Sequence, residues 1–78
     1  MTSLEFSEHW KRKRMHRRDI DDSLLSLVLT RGRRARDDRW RGVFNSSLRV
    51  PPSGRTLKVV FRVTGRRTYR VITAYWLD

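Results

Sequence analysis

The feature that most constrains this fold is a change of hydrophobic period near Gly32. Before it, apolar residues recur three and four apart, as on one face of a helix; after it they alternate, as along a strand. The alternation is strongest where Leu57, Val59, Phe61 and Val63 interleave with Lys58, Val60, Arg62 and Thr64. Gly65-Arg66 then supplies a tight turn into a last strand from Thr68 to Trp76, which predicts an antiparallel hairpin. Regular alternation along that last strand puts Tyr69, Val71, Thr73 and Tyr75 on one face and Arg70, Ile72, Ala74 and Trp76 on the other. Both faces are largely apolar, which predicts an inner strand. Upstream, Pro51-Pro52-Ser53-Gly54 reads as a turn. Trp40, Val43, Phe44, Leu48 and Val50 surround a polar Asn45-Ser46-Ser47 break, which predicts one or two short strands.

On the helical side of Gly32, Ser7 suits an N-cap, Glu8 suits the first turn, and Phe6 suits a staple. Trp10, Arg14 and Arg17 then form a narrow stripe whose arginine stems add apolar cover. A second helix has Asp19 as its expected N-cap, Asp21 and Asp22 at its positive end, and Gly32 as its stop. Ile20, Leu24, Leu27 and Val28 share one face, widened by Leu25 and Leu29. The expected architecture is a single α+β domain over residues 1–78, two N-terminal helices packed on a small, mainly antiparallel, three- to four-stranded sheet. The helices fall at about 7–17 and 20–30, and the strands at about 39–50, 57–64 and 68–76.

Charge bounds the function. Lysine and arginine total 19, of which 16 are arginine, against 8 acids in 78 residues, a formal net charge of +11. A domain this small cannot neutralise such an excess internally, so its surface draws in polyanions, nucleic acid first. Guanidinium groups sharpen that expectation, since they pair two-pronged with phosphate and stack on bases. The absence of cysteine excludes disulfides and thiolate ligation of zinc. Apolar runs fall far short of the ~18 residues of a membrane span, and no signal-peptide pattern opens the chain, so the expectation is a cytoplasmic protein without a membrane partner. Aromatic residues at periodic positions argue against a disordered basic tail.

Arg14-Met15-His16-Arg17-Arg18-Asp19-Ile20 resembles the R-M-x-x-R-G-I stretch between the two helices of a widespread family of small proteins of formerly unknown function. Leu57-Lys58-Val59-Val60-Phe61-Arg62-Val63 and Val71-Ile72-Thr73-Ala74-Tyr75 resemble two of its strands, the second as V-I-T-x-Y. That family is grouped with the RelE-like ribonuclease toxins in the barnase, EndoU and colicin nuclease superfamily. The resemblance spans roughly residues 6 to 76 and implies a small metal-independent endoribonuclease, the toxin of a toxin–antitoxin pair, acting on messenger or transfer RNA, on or off the ribosome. It also implies an acidic antitoxin as protein partner. Two departures stand out: His9 lies one residue further from Ile20 than the family's histidine does, and Asp19 stands where the family has glycine.

Cleaving RNA without a cofactor requires a base for the 2′-hydroxyl, cations for the phosphorane and an acid for the leaving 5′-oxygen. Histidine is the natural base; His9 and His16 would lie about 10 Å apart on one helix face, too far to share one phosphate. The expected catalytic set is therefore His9 with Thr73 and Tyr75, which the resemblance supplies, and a cation such as Arg62, with Lys58 and Arg70 as neighbours. Lys11, Arg12, Lys13, Arg14, Arg17 and Arg18 form one expected phosphate-contacting block, and Arg33 and Arg34 belong to a second. Asp21-Asp22 and Asp37-Asp38 suggest a two-metal site less well, because the first pair suits a helix N-terminus and the second lies among arginines; no metal ligands are assigned. The alternatives are a non-catalytic RNA- or DNA-binding module with Trp10, Trp40 or Trp76 as stacking platforms, and a small basic adaptor for an acidic protein.

Overall fold

A computed structural model describes residues 2–38 and 40–77. The chain runs β1 (Ser3–Phe6), α1 (Glu8–Lys13), a 3-10 turn (Arg14–His16), α2 (Asp22–Arg31), β2 (Arg33–Arg36), β3 (Val43–Val50), β4 (Arg55–Gly65) and β5 (Thr68–Trp76). All five strands join one sheet in the order β1-β5-β4-β3-β2, with β1 parallel to β5 and the other pairs antiparallel.

This corrects the expected three- to four-stranded, mainly antiparallel sheet: the sheet is five-stranded and mixed, and strand (48%) outweighs helix (25%). Two short segments account for the difference. Ser3–Phe6 has only four residues in which to alternate, and its partners lie across the chain at Thr68 to Val71. Arg33–Arg36 carries no β-branched or aromatic residue, so it reads as a basic block, yet it pairs with Phe44 to Ser47. The break at Asn45-Ser46-Ser47 does not interrupt β3, because Ser46 turns inward. The expected first strand opens at Arg39, outside the described residues.

α1 is shorter than the 7–17 span expected; the α-helix ends at Lys13 and tightens into the 3-10 turn. The cap of α2 is Asp21, whose Oδ1 accepts from the Leu24 N–H at 2.8 Å. Asp19 instead accepts a 2.7 Å hydrogen bond from Trp76 Nε1, which pins the connection before α2 to β5.

The helices cover one face of the sheet. Leu25, Val28 and Leu29 of α2, with Trp10 of α1 and Ile20, pack on Leu57, Val59 and Phe61 of β4 and Val71 and Ala74 of β5. Burying each of the leucine, isoleucine, valine and phenylalanine side chains among these contributes on the order of 1.5–3 kcal/mol. Gly32 stops α2 for a reason of space, since its φ of −74° is open to any residue. A Cβ there would run into Ser46 Oγ and the Val28 carbonyl, with the Ser47 carbonyl close behind. That close approach lets the fully buried Ser46 Oγ donate to the Val28 carbonyl at 2.7 Å, beside the Gly32 N–H at 2.8 Å. Gly32→Ala is expected to destabilise the fold by about 1–3 kcal/mol through overpacking, and Ser46→Ala by about 1 kcal/mol through the lost hydrogen bond; urea unfolding of the two variants measures both.

Candidate nucleic-acid interface

β5 does not alternate regularly. Its register with β4 shifts between Val60 and Phe61: Phe61 pairs with Val71, Val60 pairs with Thr73, and Ile72 is the extra residue of a bulge. The bulge changes which residues share a face. Tyr69, Val71, Ala74 and Trp76 turn toward the helices, whereas Arg70, Thr73 and Tyr75 share the opposite, open face with Lys58, Val60 and Arg62 of β4. Val43, Asn45 and Ser47 extend that face onto β3. This overturns the grouping of Arg70 with Trp76 that regular alternation predicts.

Ser7 secures the bulge. Its N–H donates to the Val71 carbonyl at 2.9 Å, its Oγ donates to the Ile72 carbonyl at 2.9 Å, and the same Oγ accepts the Trp10 N–H at 3.1 Å as the N-cap of α1. α1 therefore lies beside β5 where β1 ends. Trp10 is fully buried toward the core. Three residues on, Lys13 Nζ donates to Thr73 Oγ1 at 3.0 Å and sits 5.5 Å from the centre of the Tyr75 ring. Burial lowers the Lys13 pKa below 10.5, and the positive charge of Arg17 lowers it further.

Beside this cluster is a cavity of about 420 Å³ lined by Ser7, Asp37, Trp40, Val43, Val60, Arg62, Arg70, Ile72, Thr73 and Tyr75. A second, of about 460 Å³, shares Asp37, Trp40 and Val43 with it and extends under Arg36, Asp38 and Arg41. The turn between them is shaped by Gly42, whose φ of 75° lies in the left-handed region, and the Arg41 carbonyl accepts from Arg62 Nη1 at 3.1 Å. On the open face, Arg62 stands opposite Arg70 and Lys58 opposite Tyr75. Glu5 of β1 is in register with Arg70 and accepts from Thr64 Oγ1 at 3.0 Å.

The expected site residues therefore separate. Thr73, Tyr75, Arg62, Arg70, Lys58 and Lys13 come together on the open face. His9 is exposed on α1, four residues before Lys13 and so on the same side of the helix, but it does not line the cavity. Lys11 pairs with Glu8 at 3.3 Å on the surface, and Arg12 is exposed. Arg14 lies 4.8 Å over the Phe6 ring and 3.9 Å from Asp22, and with Arg17 and Arg18 it lines a separate cavity at the start of α2. Arg33 is exposed on β2. Arg34 reaches the helix side instead, donating to the Leu29 carbonyl at 3.4 Å and to Tyr69 Oη at 3.3 Å, 5.2 Å from the Phe61 ring centre. It is thus committed to holding the end of α2, away from the open face.

Of the three tryptophans, Trp10 is buried and Trp76 is held by Asp19 with Arg55 stacked at 4.6 Å, which removes both as stacking platforms; Trp40 is 63% exposed. Asp37 and Trp40 also line the cavity; the sequence offered Trp40 as a strand position and a stacking candidate and Asp37 as half of an acidic pair, but nothing in it placed either beside Thr73 and Tyr75. Among the described residues no three His, Cys, Asp or Glu side chains gather as a metal site, and no helix is long and apolar enough to cross a membrane. The chain matches no protein-family model, no curated protein and no solved structure.

Ser7→Ala removes an acceptor from the Trp10 N–H and a donor from the Ile72 carbonyl. It is expected to lower stability by about 1–2 kcal/mol in chemical denaturation, and to release Lys13 from Thr73, seen as a rise in the Lys13 pKa in an NMR titration.

Proposed function

We propose that this chain is a small, basic, metal-independent endoribonuclease of the RelE-like kind its motifs resemble, and that RNA lies across the open face of the sheet. The observation that carries the reading is the contact of Lys13 with Thr73 and Tyr75 beside a cavity walled by Arg62 and Arg70. An amine of lowered pKa, a phenol and several cations, Arg62 among them held by the Arg41 carbonyl, form the set of groups that transesterification of RNA needs.

In this mechanism the neutral Lys13 amine takes the proton of a 2′-hydroxyl while Thr73 orients it. The 2′-oxygen attacks phosphorus, and Arg62, Arg70 and Lys58 offset the charge gathering on the phosphorane. The bond from phosphorus to the 5′-oxygen breaks as Tyr75 donates its proton, leaving a 2′,3′-cyclic phosphate and a 5′-hydroxyl. His9, exposed on the same side of α1, is the competing base. Messenger or transfer RNA is the proposed substrate, and an acidic antitoxin that covers the same cations is the proposed protein partner.

The test is cleavage of mixed RNA in EDTA. Tyr75→Phe is expected to slow cleavage by about 10²–10⁴-fold, the usual weight of general acid catalysis, while RNA affinity stays within about twofold. As pH rises, the logarithm of the rate should climb with unit slope and level off below 10.5, because Lys13 acts as base only after losing its proton and its pKa is lowered. Lys13→Gln should abolish that limb. A limb that survives in Lys13→Gln and is lost in His9→Gln assigns the base to His9 instead. RNA that shifts on a native gel yet stays intact both free and on translating ribosomes overturns the cleavage reading in favour of a binding module.

A further inference from the structure

We propose that Trp40 and the wall shared by the two adjoining cavities form a nucleobase subsite, which takes one unpaired base of a single-stranded RNA whose phosphates lie on Arg62 and Arg70. The inference rests on the reading of the open face as an RNA surface and adds what that surface recognises.

Three observations lead to it. Trp40 is 63% exposed, the largest aromatic surface left open among the described residues, and it stands at the edge of a cavity instead of on bare surface. Trp40 borders both cavities, together with Asp37 and Val43. Buried Val43 and Val60 supply an apolar floor at the same place, which suits the flat face of a base better than a phosphate. The lining charges divide the same way. Around Trp40 the carboxyl groups of Asp37 and Asp38 offset Arg36 and Arg41, so a neutral base fits there. Across the cavity the opposed pair Arg62 and Arg70 suits the phosphates.

An indole offers a π-face to any base, and such stacking is sequence-tolerant. A base held in a duplex has both faces covered by its neighbours, so the subsite selects single strands, loops or splayed ends over helices. Ligands with phosphate but no base lose the Trp40 contact altogether.

The experiment measures affinity by fluorescence anisotropy at one fixed salt concentration, using a short single-stranded oligoribonucleotide and the same backbone with abasic positions. The wild-type protein is expected to bind the intact oligomer roughly five- to a hundredfold more tightly, the range for one stacked base. Trp40→Ala should bind the intact oligomer as weakly as the wild type binds the abasic one, and Trp40→Phe should recover most of the loss. Because Trp40 is exposed, both variants keep the core intact, which circular dichroism checks. Equal binding of both oligomers by the wild type, or a preference that survives in Trp40→Ala, overturns the subsite and leaves the RNA surface standing. A wild-type protein that binds neither oligomer overturns the RNA reading itself.

Discussion

Ser7 is the residue on which the rest of the open face depends. It ends β1 with a backbone bond to Val71, starts α1 by capping Trp10, and ties its hydroxyl to the Ile72 carbonyl at the bulge. These bonds satisfy backbone groups that a helix start and a bulge would otherwise leave unpaired beside the core. They also fix the phase of a six-residue helix. Trp10 is held inward and Lys13 outward onto Thr73, although a helix that short has little intrinsic stability.

The bulge at Ile72 does the complementary work on the strand. With regular pairing, Arg70 would leave the face that holds Thr73 and Tyr75. One extra residue brings all three onto the side of Arg62 and Lys58, while Val71 and Ala74 stay in the core. The arginine excess is divided in a similar manner. Arg14, Arg34 and Arg55 lie over Phe6, Phe61 and Trp76, where their stems and flat heads close the edges of the core. All three stay exposed, so the stacking orients these cations without removing them from the net charge of +11 that a polyanion meets.

How much of this was legible in the sequence varies by element. The hairpin of β4 and β5 is legible because eight alternating residues and a Gly65 turn act together, and α2 because its apolar face spans two turns. β1 and β2 are not legible: four residues carry too little period, and β1 owes its strand character to a partner more than sixty positions away. Asp19 and Asp21 are equivalent as cap candidates by type, and only their hydrogen bonds separate them, Asp21 accepting from the Leu24 N–H and Asp19 from Trp76. Tyr75, Thr73 and Arg62 were legible as site candidates, but no feature of the Thr68–Trp76 segment announces its bulge. Arg70 therefore changed faces, and Lys13, read as one more phosphate contact, emerged as the partner of Thr73.

The bond between Lys13 and Thr73 joins residues sixty positions apart, and that between Ser7 and Ile72 spans sixty-five. Closing loops of that length delays these contacts relative to the local ones during folding. The cluster is consequently a late product of the chain's history. A growing polypeptide that already displays α1 and α2 has Lys13 but nothing for it to meet, and a chain cut short before β5 keeps most of its arginines while lacking Thr73, Tyr75 and the bulge that orients them. Fifteen of the sixteen arginines precede β5, whereas the geometry that aims them arrives only with that strand.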